Sequence, residues 1–269
     1  MLTQTMGPQS GTLTKFAYNR VPQVTAEFWL VKLMAVTVGE TAADFINAQM
    51  GLGLSTTSLI MSGLLIVALI LQFAQRKYVP LTYWLAVVLV SVVGTLITDN
   101  LVDNLGISLQ TTTIWFSAAL AATFAIWFAF EKTLSIHTIY SFRREAFYWL
   151  AVLFTFALGT AAGDLLAEGL ALGYLQAGLV YGAVIAAIAV AYYVFKLNAI
   201  LSFWLIYIIT RPMGASFGDL LSQPIDKGGL GFGTVVTSLI FLLTIGATIV
   251  YMTIKREGNE TVRISGQSE

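Results

Sequence analysis

The 269-residue chain is 57% hydrophobic and 10% charged, with a mean hydropathy of +0.81, whereas about a quarter of the residues in a soluble domain are charged. This excludes a soluble globular domain and predicts an all-α, polytopic membrane protein. With no Cys and one His, disulfides and thiolate metal sites are excluded and soft-metal chemistry is disfavoured.

Residues 1–24 are polar and Gly/Thr-rich, carry Lys15 and Arg20, and read as a tail, with no apolar core of a signal peptide. From Glu27 onward eight apolar segments follow, near 28–50, 54–75, 81–104, 109–130, 146–168, 174–195, 199–222 and 232–254. Each is long enough to cross about 30 Å of hydrocarbon at 1.5 Å per residue. Short Gly-bearing turns such as Gly51-Leu52-Gly53 join the segments in pairs. The organisation is thus a tail (1–24), one eight-helix membrane domain (25–254) and a second tail (255–269).

The pairs are repeats, approximately 25–78, 79–132, 145–197 and 199–254. Each opens on an aromatic-Trp-Leu triplet, with a Gly ten residues and an Asp fifteen residues after the Trp. Trp29 leads to Gly39 and Asp44, Trp84 to Gly94 and Asp99, Trp149 to Gly159 and Asp164, and Trp204 to Gly214 and Asp219. Ten extra residues between the second and third repeats lie in a central loop, Glu131 to Glu145, which holds His137, Arg143 and Arg144. A solvated loop His is the expected state of His137.

Lys and Arg set the orientation. The tails and the connections between repeats hold Lys15, Arg20, Arg76, Lys77, Lys132, Arg143, Arg144, Lys196, Lys255, Arg256 and Arg263, against only Lys227 in the turns within repeats. Cytoplasmic termini follow, with the Trp residues near the cytoplasmic face. Fifteen residues of helix span about 22 Å, which carries each Asp past the midplane. An even number of spans per repeat predicts that all four run in the same sense, without inversion.

This pattern of Trp29, Trp84, Trp149 and Trp204 with their following Gly and Asp resembles a family of bacterial membrane proteins built from four tandem two-helix repeats, known as a repeat of unknown function. The resemblance spans residues 25–254 and implies the architecture and a bacterial inner membrane. It implies no activity. Repeats one and four depart from the pattern by adding charge, Lys32 and Glu40 in one and Arg211-Pro212 in the other.

At 100° per residue, the first helix of each repeat has two faces. One carries small residues in steps of four around Gly39, Gly94, Gly159 and Gly214, which suits close helix packing in lipid. They lie inside apolar helices and follow no strand, so a phosphate-binding loop is excluded. The other face carries Glu40 and Asp44; Thr95, Asp99 and Asp103; Thr160, Asp164 and Glu168; Asp219 and Gln223. A charge inside a membrane costs about 2.5–3.5 kcal/mol on insertion scales, so the repeated Asp residues point to a role, while Asp103 and Glu168 equally fit the watery helix ends.

Asp44, Asp99, Asp164 and Asp219, with Glu40, are therefore the candidate cation-binding residues, and the four Asp the candidate metal ligands, since hard oxygen donors suit Mn²⁺, Mg²⁺, Ca²⁺ or Na⁺. Arg211, and less so Lys32, are candidates for gating or charge compensation; Lys32 is also near enough to the interface to snorkel. Pro212 is expected to kink its helix. Trp115 and Trp127 are expected to face lipid or pack between helices. Two function classes follow: a cation or proton-coupled transporter, and an anchor or regulator that binds another protein, disfavoured because large soluble loops are missing. Gly163-Asp164 and Gly218-Asp219 superficially resemble an intramembrane aspartyl protease pair, but Ala161 and Ser216 stand where a further Gly is required, so an enzyme is not expected. The expected partners are the bilayer and a small ion, not nucleic acid; no cofactor beyond a bound divalent cation is called for, and oligomerisation is left open.

Overall fold

The computed structural model describes residues 19–46 and 51–265, with side chains through Ile254. Lys15 and the rest of the tail before Asn19, positions 47–50 of the first apolar segment, and residues 266–269 lie outside the described residues, as do the side chains of Lys255, Arg256 and Arg263. Eight long helices form: α1 Ala26–Asp44, α2 Leu54–Phe73, α3 Pro80–Asp99, α4 Leu109–Glu131, α5 Phe142–Asp164, α6 Tyr174–Tyr193, α7 Ala199–Ser222 and α8 Thr234–Ser265. Wide π turns, Asn100–Asn104 and Leu165–Gly169, extend α3 and α5. Among the described residues there is no strand. Seven of the helices are long and apolar enough to cross a membrane. The shortfall is α1, whose interior carries Lys32 and Glu40.

Local sequence sets the starts. Thr25, Ser108, Ser141 and Asn198 accept hydrogen bonds from backbone N–H groups of the first turns of α1, α4, α5 and α7. Pro80 opens α3, where a missing donor costs nothing. Gly53 and Gly173, at φ 74° and 82°, turn the chain into α2 and α6 in a conformation that side chains disfavour. Helix α8 runs past residue 254, where the apolar run ends, because the end of an apolar run does not limit helix formation. Pro212 sits inside an unbroken α7.

The odd-numbered helices form a closed ring, α1 against α3, α3 against α5, α5 against α7 and α7 against α1. Each even-numbered helix packs chiefly on the inner helix of the following repeat, α2 on α3, α4 on α5 and α6 on α7, and α8 closes the circle on α1. Burial follows this division: the inner helices are buried and the outer helices expose broad apolar faces, including Leu59, Ile66, Phe130, Leu179 and Leu243.

The repeated glycines are the contact points of the ring. A Cβ on Gly39 would overlap Ser91, one on Gly94 would overlap Phe156, one on Gly159 would overlap Arg211, and one on Gly214 would overlap Val36. Ser91, Phe156, Arg211 and Val36 each stand seven residues after the Trp of their repeat, so a single contact recurs four times around the ring. Gly94→Ala would put Cβ 2.8 Å from the Phe156 Cβ and 3.1 Å from the Ala157 backbone nitrogen. It is expected to cost about 1–3 kcal/mol by overpacking, measured as a lower melting temperature in detergent. Gly246→Ala, with nothing within 4 Å, is expected to be neutral. Equal losses at both positions would refute this account of the ring.

Candidate functional site

Steps of four residues along each inner helix bring equivalent positions together on the ring axis. At the Trp end, Phe28, Tyr83, Tyr148 and Phe203 are clustered: Phe28 lies 6.1 Å from Phe203, Tyr83 is stacked 6.4 Å from Tyr148, and the two Tyr hydroxyls are 2.5 Å apart. Beneath them the connections are knitted together. Glu145 is fully buried and accepts from Arg20 Nη1 at 2.6 Å and Gln72 Nε2 at 3.0 Å. Asn19 donates from Nδ2 to the Val21 and Ile136 carbonyls and accepts from the Ile139 N–H. The end of the tail is therefore a strap across the bundle. Three of the repeat Trp residues donate to this layer: Trp84 to Tyr78 Oη, Trp149 to Glu145, and Trp204 to the Leu134 carbonyl.

One step further in, Lys32 is 1% exposed. Its Nζ donates to the Tyr207 carbonyl at 2.5 Å and lies 4.0 Å from the Tyr207 ring centroid. The snorkelling expectation fails because Lys32 belongs to the axial column Phe28, Lys32, Val36, Glu40 and Asp44, so its stem starts inside the ring. Its amine cannot reach the interface.

Arg211, fully buried, occupies the next level. Its Cγ lies over Gly159, and its Nη2 donates to Glu40 Oε2 at 2.9 Å, Thr95 Oγ1 at 2.5 Å and Thr160 Oγ1 at 2.7 Å. Thr95 also donates to Glu40 at 3.3 Å. Glu40, Thr95 and Thr160 each follow the repeat glycine, and Ala215 takes that position in the fourth repeat. Arg211 thus joins all four inner helices in one layer.

Beyond it, each four residues after Glu40, Thr95, Thr160 and Ala215, stand Asp44, Asp99, Asp164 and Asp219. Asp219 is buried, Asp44, Asp99 and Asp164 are half-buried, and Asp103 and Glu168 at the mouth are exposed. Gln223 donates to Asp44 at 3.3 Å. Exposure rises along the column, from buried Arg211 and Glu40 to exposed Asp103 and Glu168, so the Asp residues stand toward its exposed end. They are not drawn into one coordination shell: among the described residues no three His, Asp or Glu are grouped closely enough to hold a metal ion. Arg211 is bound to Glu40, with no hydrogen bond to the Asp set among the described residues.

The remaining aromatics stay outside the column. Trp115 is exposed, and Trp127 is buried, stacked 6.3 Å from Phe147 and edge-on to Trp204 at 5.8 Å. His137 is exposed on a short turn of the central loop, and partial desolvation holds its imidazole below the ordinary range. A recess of about 780 Å³ lies at the Trp end between Trp29, His137, Tyr192 and Phe203; no acid lines it, and Phe203 is the axial position it reaches. The Arg20–Glu145–Gln72 seal was not foreseen from the sequence.

A closed ring of inner helices backed by outer ones, with one axial column from each repeat, defines an all-helical tandem-repeat protein. The chain belongs to the family described as Repeat of Unknown Function (DUF347), whose model matches residues 28–78, 82–133, 147–198 and 202–257. No curated protein and no solved structure matches it.

Proposed function

We propose that this is a multi-pass transporter of the bacterial cytoplasmic membrane that carries hard cations, of the Mn²⁺ or Mg²⁺ kind or Na⁺ coupled to protons, without acting as an enzyme. The four repeats cross in the same sense, with the Lys- and Arg-rich Trp end and both termini cytoplasmic. The observation that carries the reading is the axial column, in which equivalent acids from four repeats follow, toward the exposed end, a buried layer that Arg211 ties together. Carboxylates concentrate cations there, and charges so placed in a membrane mark ion paths.

The same layer argues for a carrier and against an open pore. A cation about 4 Å from the Arg211 guanidinium meets about 4 kcal/mol of repulsion per charge at an effective dielectric of 20. Passage therefore requires Arg211 to leave the axis, and its attraction to the Asp residues gives it somewhere to go once the ion departs. Turnover is limited by that rearrangement. In the expected bound state the Asp residues move inward to share one ion.

Purified protein in proteoliposomes, loaded with indicators for divalent ions, Na⁺ and H⁺, tests this directly. Saturable flux of a hard cation above empty vesicles is expected, at carrier rates. Absence of flux across the whole panel would overturn the proposal and return weight to a membrane anchor or regulator.

A further inference from the structure

We propose that the ring holds a second site, for a small monovalent anion, between Lys32 and Arg211 on the Trp side of the Glu40 layer. It is independent of the cation reading and concerns the opposite charge.

Two basic side chains are fully buried here, and among the described residues the only carboxylate bonded to either is Glu40. Glu40 takes a single Arg211 nitrogen, Nη2. The Nε and Nη1 atoms of Arg211 are buried and without a hydrogen-bond partner, which leaves three N–H bonds of the guanidinium unmatched. Lys32 spends one of its three donors on the Tyr207 carbonyl. Both groups face the ring of Phe156, Lys32 Nζ at 5.9 Å and Arg211 Cζ at 5.6 Å from its centroid. Both side chains thus lie near the same buried Phe156 ring.

The surplus is one of hydrogen-bond donors. A water molecule accepts hydrogen bonds without adding charge, whereas an anion also compensates a protonated Lys32. A monovalent anion accepts from both groups and balances Lys32 while Glu40 balances Arg211. Chloride has this chemistry, and so has the carboxylate of a small organic acid. At the Trp end of the site Phe28, Tyr83 and Tyr148 are buried.

The test uses full-length protein in detergent, with radiolabelled chloride in equilibrium dialysis and melting curves at constant ionic strength, gluconate replacing chloride. Saturable binding of about one chloride per chain is expected, with a rise of roughly 5 °C in melting temperature at saturation. Lys32→Met is expected to weaken binding at least about tenfold. If that variant does not fold, Lys32→Gln and Arg211→Lys provide the same reading, the latter keeping charge while losing the Nε and Nη1 donors. Displacement by nitrate and bromide assigns a free inorganic anion; stronger displacement by formate or acetate assigns a carboxylate. Wild-type protein with no saturable chloride, nitrate or formate binding, or folded variants with unchanged affinity, would overturn the proposal whatever the cation flux.

Discussion

Arg211→Gln is expected to lower stability by about 3–5 kcal/mol, because it leaves the Glu40 carboxylate buried without its cation. Glu40 is 6% exposed and Arg211 0%, so solvent cannot substitute for the lost partner. The double variant Glu40→Gln/Arg211→Gln removes both charges and is expected to recover most of the loss, since an amide still bonds with Thr95 and Thr160. Chemical unfolding in detergent measures the cycle, and a coupling above about 1.5 kcal/mol is expected for groups in direct contact. Additivity within about 0.5 kcal/mol would mean that the pair seen in the ring does not contribute to stability. Arg211→Gln should still bind cations at the Asp residues yet stall in turnover, because no guanidinium remains to compensate the empty acids.

The residues that repeat were legible in the sequence, and those that occur once were much less so. The fixed offsets from Trp to Gly and Asp locate the inner helices, the two faces of each and the polar column, because helical periodicity is a local property. The order of packing is not local. Nothing within a repeat says that α2 covers α3 in preference to α1, and the Ser91, Phe156, Arg211 and Val36 contacts with the preceding repeat's glycine become visible only when the ring closes. The interfacial alternative for Lys32 fails for a different reason. Its nearness to the helix start suggested the interface, although its place four residues before Val36 and eight before Glu40 already put it on the axial face. The Arg20–Glu145 pair, 125 residues apart, carries no periodic signal. The partner of Arg211 could have been anticipated, since Arg211 and Glu40 stand one helical turn apart in repeat register, at seven and eleven residues after their Trp.

Depth along the column gives the second large effect: Asp219→Asn and Asp164→Asn are each expected to reduce cation flux by about tenfold or more, and Asp103→Asn by less than about twofold. Asp219 is buried and Asp164 half-buried next to the Arg211 layer, whereas Asp103 is exposed at the mouth. A carboxylate at about 4 Å from the ion contributes on the order of 4 kcal/mol at an effective dielectric of 20. One at the mouth acts through water and salt, whose screening length is about 8 Å under physiological conditions. Asn keeps the size and most hydrogen bonds of Asp, so each variant should insert and run as the same species in detergent chromatography, which separates lost transport from lost folding. Initial rates in proteoliposomes at several cation concentrations then divide affinity from turnover. An inner acid that holds the ion directly should raise the half-saturating concentration. If Asn at Asp44, Asp99, Asp164 and Asp219 leaves flux unaltered, the Asp set serves only to keep the mouth of the ring hydrated, and the ion must cross elsewhere.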